Sequence, residues 1–164
     1  MISKNLVDEI NEQIMHELYS SHLYLAMAAY CEGQNLAGFA KWLMVQAAEE
    51  HEHAMKFFEH LNDRGARPVV KAIPAPPVDF KSPLDVFQQT YAHEQKVTAR
   101  IHLLYALAVK DNDYASQVFL QWFVNEQVEE EKNASYIEAV LKKVGDSTGG
   151  LYQLDHTLGK RGAD

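Results

Sequence analysis

Apolar residues recur at alternating steps of three and four along most of this chain, a spacing typical of the core-facing stripes of amphipathic α-helices. All five prolines fall between Gly65 and Leu84, and the glycines up to position 150 form three separate clusters. Because proline and glycine interrupt helices, these clusters divide the chain into long helical segments. The predicted helices cover about 5–32, 38–64, 83–110, 114–144 and 149–158.

The connections between these helices predict their topology. The first and second helices, and likewise the third and fourth, are joined by short turns, so each pair should be antiparallel. The connection at about 65–82 is long. It can extend about 55 Å, whereas a helix of about 28 residues is about 42 Å long. We therefore predict an all-α, up-down-down-up four-helix bundle over about 5–144, with a long crossover loop and a short C-terminal fifth helix, as a single domain over 1–164.

Each of the four long stripes is interrupted near its middle by polar residues where leucines would be expected. Glu50 and His53 are the clearest case, because residues three apart on a helix project from the same face. Counted from the helix starts, the interruptions lie at similar depths, so they should meet at one level of the core. The six side chains are Glu17, Glu50, His53, Glu94, Gln127 and Glu130.

Four carboxylates at one level of a core require a positive partner. Taking one ionised carboxylate out of water costs several kcal/mol, and like charges close together repel one another. One imidazole among oxygen donors favours iron, manganese or zinc over calcium. Four carboxylates suit two divalent ions that share one of them, and Glu and Glu-x-x-His on the inner faces of a bundle form the di-iron carboxylate pattern.

Composition narrows the class of partner. The 164 residues include 15 basic and 23 acidic residues, giving a formal charge of -8, which repels nucleic acid and anionic membranes but attracts cations. Cys31 is the only cysteine, so no intrachain disulfide can form and a reducing compartment is expected. We find no signal peptide and no apolar stretch of about 18 residues. A cytoplasmic protein without a membrane span is therefore predicted.

As a set, these motifs resemble the ferritins, and most closely the bacterial non-haem ferritins. The resemblance covers nearly the whole chain: an early glutamate followed by Tyr24, Glu-Glu-x-x-His, a glutamate in the third helix, Asn-Glu-Gln-x-x-Glu, and a short fifth helix. It implies one iron position formed by Glu17, Glu50 and His53. It implies a second formed by Glu50, Glu94 and Glu130, with Gln127 nearby and Glu50 as the bridge.

Further residues lie near the predicted centre in the helical phase. Tyr24 would donate an electron or a hydrogen bond to the centre, although a plain core tyrosine is the alternative. Trp122 is expected to be a core side chain. A second acidic group lies beside the first and is either a solvated helix face or, by resemblance, a third iron position toward the inner surface. That third position would comprise Glu49, Glu126, Glu129 and Glu130.

The implied activity is ferroxidase: two bound Fe(II) ions are oxidised by dioxygen or peroxide through a bridged di-ferric intermediate, and ferric iron is stored as mineral. Gln127 weakens the second position, which favours moving iron onward. Glu52 stands where bacterioferritins carry the haem-ligating methionine, so no haem is expected. The fifth helix has an apolar side, which predicts self-association, and the resemblance implies a hollow shell of 24 subunits.

Rival interpretations remain open on the residues alone. A di-iron oxygenase or peroxidase could use the same bundle, although a rubrerythrin would need cysteines that this chain lacks. A miniferritin would place its iron site between subunits. A non-catalytic helical interaction protein would leave the acids merely solvated. The remaining histidines share no stripe and are expected at the surface or at interfaces: His16, His22, His51, His60, His93, His102 and His156.

Overall fold

The computed structural model describes residues 1–162, and within them the chain forms five helices and no strand. Each helix begins and ends within one residue of its predicted bounds, because the glycine and proline clusters are strong local signals. None of the helices in residues 1–162 is long and apolar enough to cross a lipid bilayer. The helices are α1 (Lys4–Gly33), α2 (Ala37–Asp63), α3 (Pro83–Lys110), α4 (Tyr114–Val144) and α5 (Thr148–Leu158).

The predicted helix ends are confirmed at both sides of the crossover. Gly65 follows α2 with φ +69°, the left-handed conformation that glycine adopts without strain. The next amide, that of Ala66, donates to the carbonyl of Leu61 over 2.8 Å. At the start of α3, Ser82 Oγ accepts a hydrogen bond from the amide of Asp85 over 3.1 Å, with Pro83 in the first turn.

The up-down-down-up order follows from which ends of the four helices pack together in one apolar cluster. One apolar cluster combines the beginning of α1, the ends of α2 and α3, and the beginning of α4; it includes Leu6, Phe57, Ile101 and Leu120. A second cluster lies at the other end of the bundle and includes Met27, Phe39, Phe87 and Ile137. The polar interruptions of the four stripes lie between the two clusters. The fold therefore encloses a polar layer between the two apolar clusters.

Helix α5 packs against α2 and α4 of its own chain. Leu154 and Leu158 are each 8% exposed and belong to the second apolar cluster, while Leu151 is half-buried. Asp155 Oδ1 accepts a hydrogen bond from the amide of Phe39 over 3.0 Å, close to the beginning of α2. The apolar side of the fifth helix, predicted to dock on something, thus docks in part on the bundle itself.

Candidate metal centre

All six polar side chains from the stripes are buried in the layer between the two apolar clusters. They come from all four long helices, and the helical spacing that puts leucines in the core puts these residues there too. Their exposed fractions are 1% for Glu17, Glu50 and Glu94, 3% for Gln127, and 4% for His53 and Glu130.

The structure brings together the three residues predicted for the first iron position. Glu17 from α1 and Glu50 and His53 from α2 each offer a ligand atom, and these atoms lie within 4.8 Å of one another. His53 Nδ1 lies 3.7 Å from Glu50 Oε2. Carboxylate oxygen and imidazole nitrogen at this spacing form a donor set that suits a divalent transition metal.

The second predicted set is arranged differently. His53, Glu126 and Glu130 offer ligand atoms within 4.8 Å of one another. In residues 1–162, no three-residue group of that closeness includes Glu94. Instead, Glu94 accepts hydrogen bonds from the Tyr24 hydroxyl and, at Oε2, from Gln127 Nε2 over 3.2 Å. These donors partner a buried carboxylate that would otherwise be isolated.

The residues of the predicted third position are separated. Glu126 is half-buried and lies with the buried Glu130, one turn further along α4. Glu129 is exposed. Glu49 forms an ion pair with Arg161, beyond the end of α5. Residues 126 and 130, one turn apart, share a face of α4. The exposure of Glu129 and the ion pair of Glu49 separate the other two members of the set from them.

Burial dominates the proton affinity of this layer. Burial and, to a lesser extent, the charge of the neighbouring Glu50 raise the pKa of Glu17 to about 8. Burial likewise raises the pKa of Glu94 to about 7, although hydrogen bonds from Tyr24 and Gln127 oppose the shift. The pKa of Glu130 rises to about 7 through burial and the nearby Glu94. Burial and the charges of Glu94 and Glu130 hold the pKa of Glu50 well above its usual range.

Two buried polar atoms in this layer have no hydrogen-bond partner: Glu17 Oε2 and Gln46 Oε1. An unpartnered buried carboxylate oxygen is costly unless a cation or a proton satisfies it. Glu17 Oε2 is therefore available as a ligand atom. The carboxylates and the imidazole of this layer fit iron, manganese or zinc by donor type.

Two buried glutamines belong to the site although the sequence assigned them no role in it. Gln46 Nε2 donates to Glu50 Oε1 over 3.0 Å and to Glu130 Oε2 over 2.8 Å, so it links α2 to α4. Gln13 Nε2 donates to Glu17 Oε1 over 2.8 Å. Each glutamine stands four residues before a buried glutamate on its own helix. That spacing could have identified them, because residues four apart on a helix are neighbours.

The expectation that Trp122 is a core side chain is wrong, and two histidines are less exposed than a free surface position would make them. Trp122 is 41% exposed rather than a core residue, and its ring lies edge-on to His53 with centroids 5.4 Å apart. His93 is half-buried and forms a 2.7 Å hydrogen bond with Ser20 Oγ, so it is not a simple surface residue. His60 is also half-buried, and its ring stacks on Phe119. Packing between helices decides these environments.

We expect Zn(II) to stabilise this protein more at about pH 7.5 than at about pH 5.5. The pKa values of Glu17, Glu94 and Glu130 are raised from a reference value of 4.5 to about 7 to 8. At about pH 5.5 the folded metal-free protein therefore holds protons on these carboxyl groups that the unfolded chain has released. The stability that this protonation contributes is complete below about pH 4.5 and is lost as the pH rises through about 7 to 8. At low pH, zinc must displace those protons.

The measurement is the guanidinium chloride midpoint of unfolding, with and without Zn(II), at both pH values. A zinc-induced shift of equal size at the two pH values would contradict the assignment of protons to these buried carboxylates. The control is Glu52→Gln, which changes an exposed carboxylate outside the polar layer and should leave the pH dependence unchanged.

Comparisons with known proteins agree with the architecture. The family described as a ferritin-like domain matches residues 7–144. A bacterial non-heme ferritin of Staphylococcus aureus (strain USA300) is 42% identical over 164 residues, covering 100% of this chain and 99% of the relative. The corresponding protein of Staphylococcus haemolyticus is 43% identical over the same coverage. A solved open-pore ferritin from the archaeon Archaeoglobus fulgidus superposes with a TM-score of 0.97 at 43% identity, covering 98% of this chain and 99% of that one.

Proposed function

This chain belongs to the ferritin family and functions in iron storage, and from that premise we propose that it is a ferroxidase with an intrasubunit di-iron centre. One observation carries the proposal. Glu17, Glu50 and His53 present ligand atoms within 4.8 Å of one another inside the bundle, and Glu17 Oε2 has no other partner there. A buried donor set with an unsatisfied oxygen is suited to receiving a cation from solution.

Glu50 is the shared residue of the proposed centre. It lies with Glu17 and His53, and after burial the charges of Glu94 and Glu130 contribute most to its raised pKa. One Fe(II) would be held by Glu17, Glu50 and His53, and a second by Glu50, Glu94 and Glu130. For the second ion to bind, Glu94 must exchange part of its hydrogen bonding to Tyr24 and Gln127 for iron.

The reaction balances with two Fe(II) as substrate. Each ion loses one electron, and the two electrons with two protons convert dioxygen to hydrogen peroxide, or hydrogen peroxide to two water molecules. Carboxylate ligands suit this change because hard oxygen donors hold Fe(III) better than Fe(II). Before iron binds, Tyr24 and Gln127 both donate to Glu94. The hydrogen bond that is not exchanged for iron would orient the Glu94 carboxylate at the second position.

Product release is proposed to run along α4. His53, Glu126 and Glu130 form a second close group, and Glu126 is half-buried while Glu129 on the same helix is exposed. Acidic side chains of increasing exposure offer successive oxygen ligands to a departing ferric ion. The predicted third position would lie on this route, with Glu49 joining it only if it exchanges Arg161 for iron.

We further propose a hollow shell of 24 subunits that holds the ferric mineral and binds no haem. The likeness to solved ferritins over 98% of this chain supports self-association, and the number of subunits is what the resemblance implies.

The test is to add Fe(II) to the assembled protein in air. We expect oxidation well above the rate in buffer, an iron-rich core in the shell, and inhibition by Zn(II), which competes for the same ligands. Absence of any protein-dependent oxidation would leave a non-catalytic helical assembly as the correct interpretation. Oxidation that never deposits mineral, but is coupled to an organic substrate, would instead identify an oxygenase.

A further inference from the structure

Gln13 occupies one oxygen of a predicted iron ligand and leaves the other free. Its side chain is completely buried on α1, one turn before Glu17. Gln13 Nε2 donates to Glu17 Oε1 over 2.8 Å, while Glu17 Oε2 has no hydrogen-bond partner. The two oxygens of Glu17 are therefore distinguished before any metal arrives.

Arg100, on α3, fixes the orientation of the Gln13 amide. Arg100 Nε donates to Gln13 Oε1 over 3.0 Å, and Arg100 Nη2 lies 3.8 Å from Glu9 Oε2. A guanidinium group can only donate hydrogen bonds, so the amide oxygen must face Arg100 and the amide nitrogen must face Glu17. This chemistry settles the orientation, which the positions of the heavy atoms alone do not.

The corresponding glutamine on α2 lacks such a restraint. Gln46 also stands four residues before a glutamate and donates to Glu50 Oε1. Its own amide oxygen, however, has no hydrogen-bond partner. Gln46 reaches α4 only through its amide nitrogen, which donates to Glu130. Of the two glutamines, only Gln13 has its amide oxygen held by a donor on another helix.

We propose that Gln13 and Arg100 are positioning residues that hold Glu17 as a one-oxygen metal ligand and so set the affinity of the first iron position. The inference rests on the proposed function only in taking Glu17 as a ligand. Partners that hydrogen-bond to metal ligands orient them, and their loss typically costs 10- to 100-fold in metal affinity. Without the amide of Gln13, Glu17 can rotate or bind through both oxygens.

The experiment is a titration of metal-free protein with Co(II), followed by visible absorbance, which reports both affinity and coordination geometry. Gln13→Leu keeps the apolar bulk and removes the donor; we expect the first Co(II) to bind about tenfold more weakly, with a changed spectrum. Arg100→Met should weaken binding by a smaller factor, roughly threefold, and Arg100→Lys, which still only donates, should stay within about twofold of wild type.

Asn11→Leu is the matched structural control. Asn11 is a buried amide on the same helix, but it accepts from the amide of Val69 and donates to the carbonyl of Val7, away from the ligands. It should lower stability without changing Co(II) affinity. If Gln13→Leu does not assemble, Arg100→Met carries the test, because the Arg100 side chain is 31% exposed and its loss leaves the core intact.

Iron kinetics give a second measurement. In Gln13→Leu the Fe(II) concentration for half-maximal oxidation should rise about tenfold, while the maximal rate stays within about twofold. Wild-type Co(II) affinity and spectrum in both Gln13→Leu and Arg100→Met would overturn the positioning role and leave the ferroxidase proposal standing. Failure of wild-type protein to oxidise Fe(II) would overturn the ferroxidase proposal, while the Co(II) titration would still decide the role of Gln13.

Discussion

Glu50→Ala is expected to slow aerobic Fe(II) oxidation on the order of 100-fold or more, because it removes the one carboxylate proposed to contact both iron ions. Glu50 is 1% exposed and lies with Glu17 and His53, and the charges of Glu94 and Glu130 also act on it. Its loss should weaken both positions at once. Initial rates of ferric formation, measured at several Fe(II) concentrations, provide the check.

The matched control is Glu52→Ala, which removes an exposed carboxylate from the same helix two residues away. It should oxidise iron at the wild-type rate, since it points away from the polar layer. Glu50→Ala should also remain folded, because removing one of several repelling buried carboxylates relieves electrostatic cost in the metal-free protein. Oxidation by Glu50→Ala at the wild-type rate would show that the bridging role is wrong.

Gly38→Ala is expected to detach α5 from the bundle and lower the free energy of unfolding by about 3 kcal/mol, near the upper end for overpacked sites. A Cβ atom at this position would lie 1.7 Å from the backbone oxygen of Asp155 and 2.5 Å from its carbonyl carbon. The backbone of Asp155 cannot move away from this Cβ atom as easily as a flexible side chain could. Separating the two helices would also break the bond from the amide of Phe39 to Asp155.

An undocked α5 should unfold, because 11 residues are too few for a stable isolated helix in water. The measurements are rapid proteolysis after residue 144, a lower guanidinium chloride midpoint, and the size of the assembly. Gly33→Ala is the control: a Cβ there meets nothing within 4 Å, so its tail should resist protease as in wild type. Equal protease resistance in Gly38→Ala and Gly33→Ala would contradict the importance of this close approach.

The sequence alone determined the helices, their order and six members of the buried polar layer, but not the glutamines Gln13 and Gln46 that hydrogen-bond to them. Helix ends at Gly65 and Ser82 depend on local backbone chemistry, so they could be identified from a few neighbouring residues. The core-facing stripes could also be predicted from the sequence, because burial follows helical spacing. Glu17, Glu50 and Glu94 are as buried as the leucines around them. The residue roles in iron chemistry remain predictions that the experiments above address.

Only the tertiary structure decided which groups partner those carboxylates. The pairing of Glu94 with Tyr24 and the ion pair of Glu49 with Arg161 join residues far apart in the chain, and no local pattern encodes them. Trp122 lies at the border of the apolar stripe of α4, where the packing of neighbouring helices determines whether a side chain is buried. Its exposure therefore could not be predicted from the helical spacing. Periodicity places a side chain on a face of its helix, whereas its partners depend on how the helices come together.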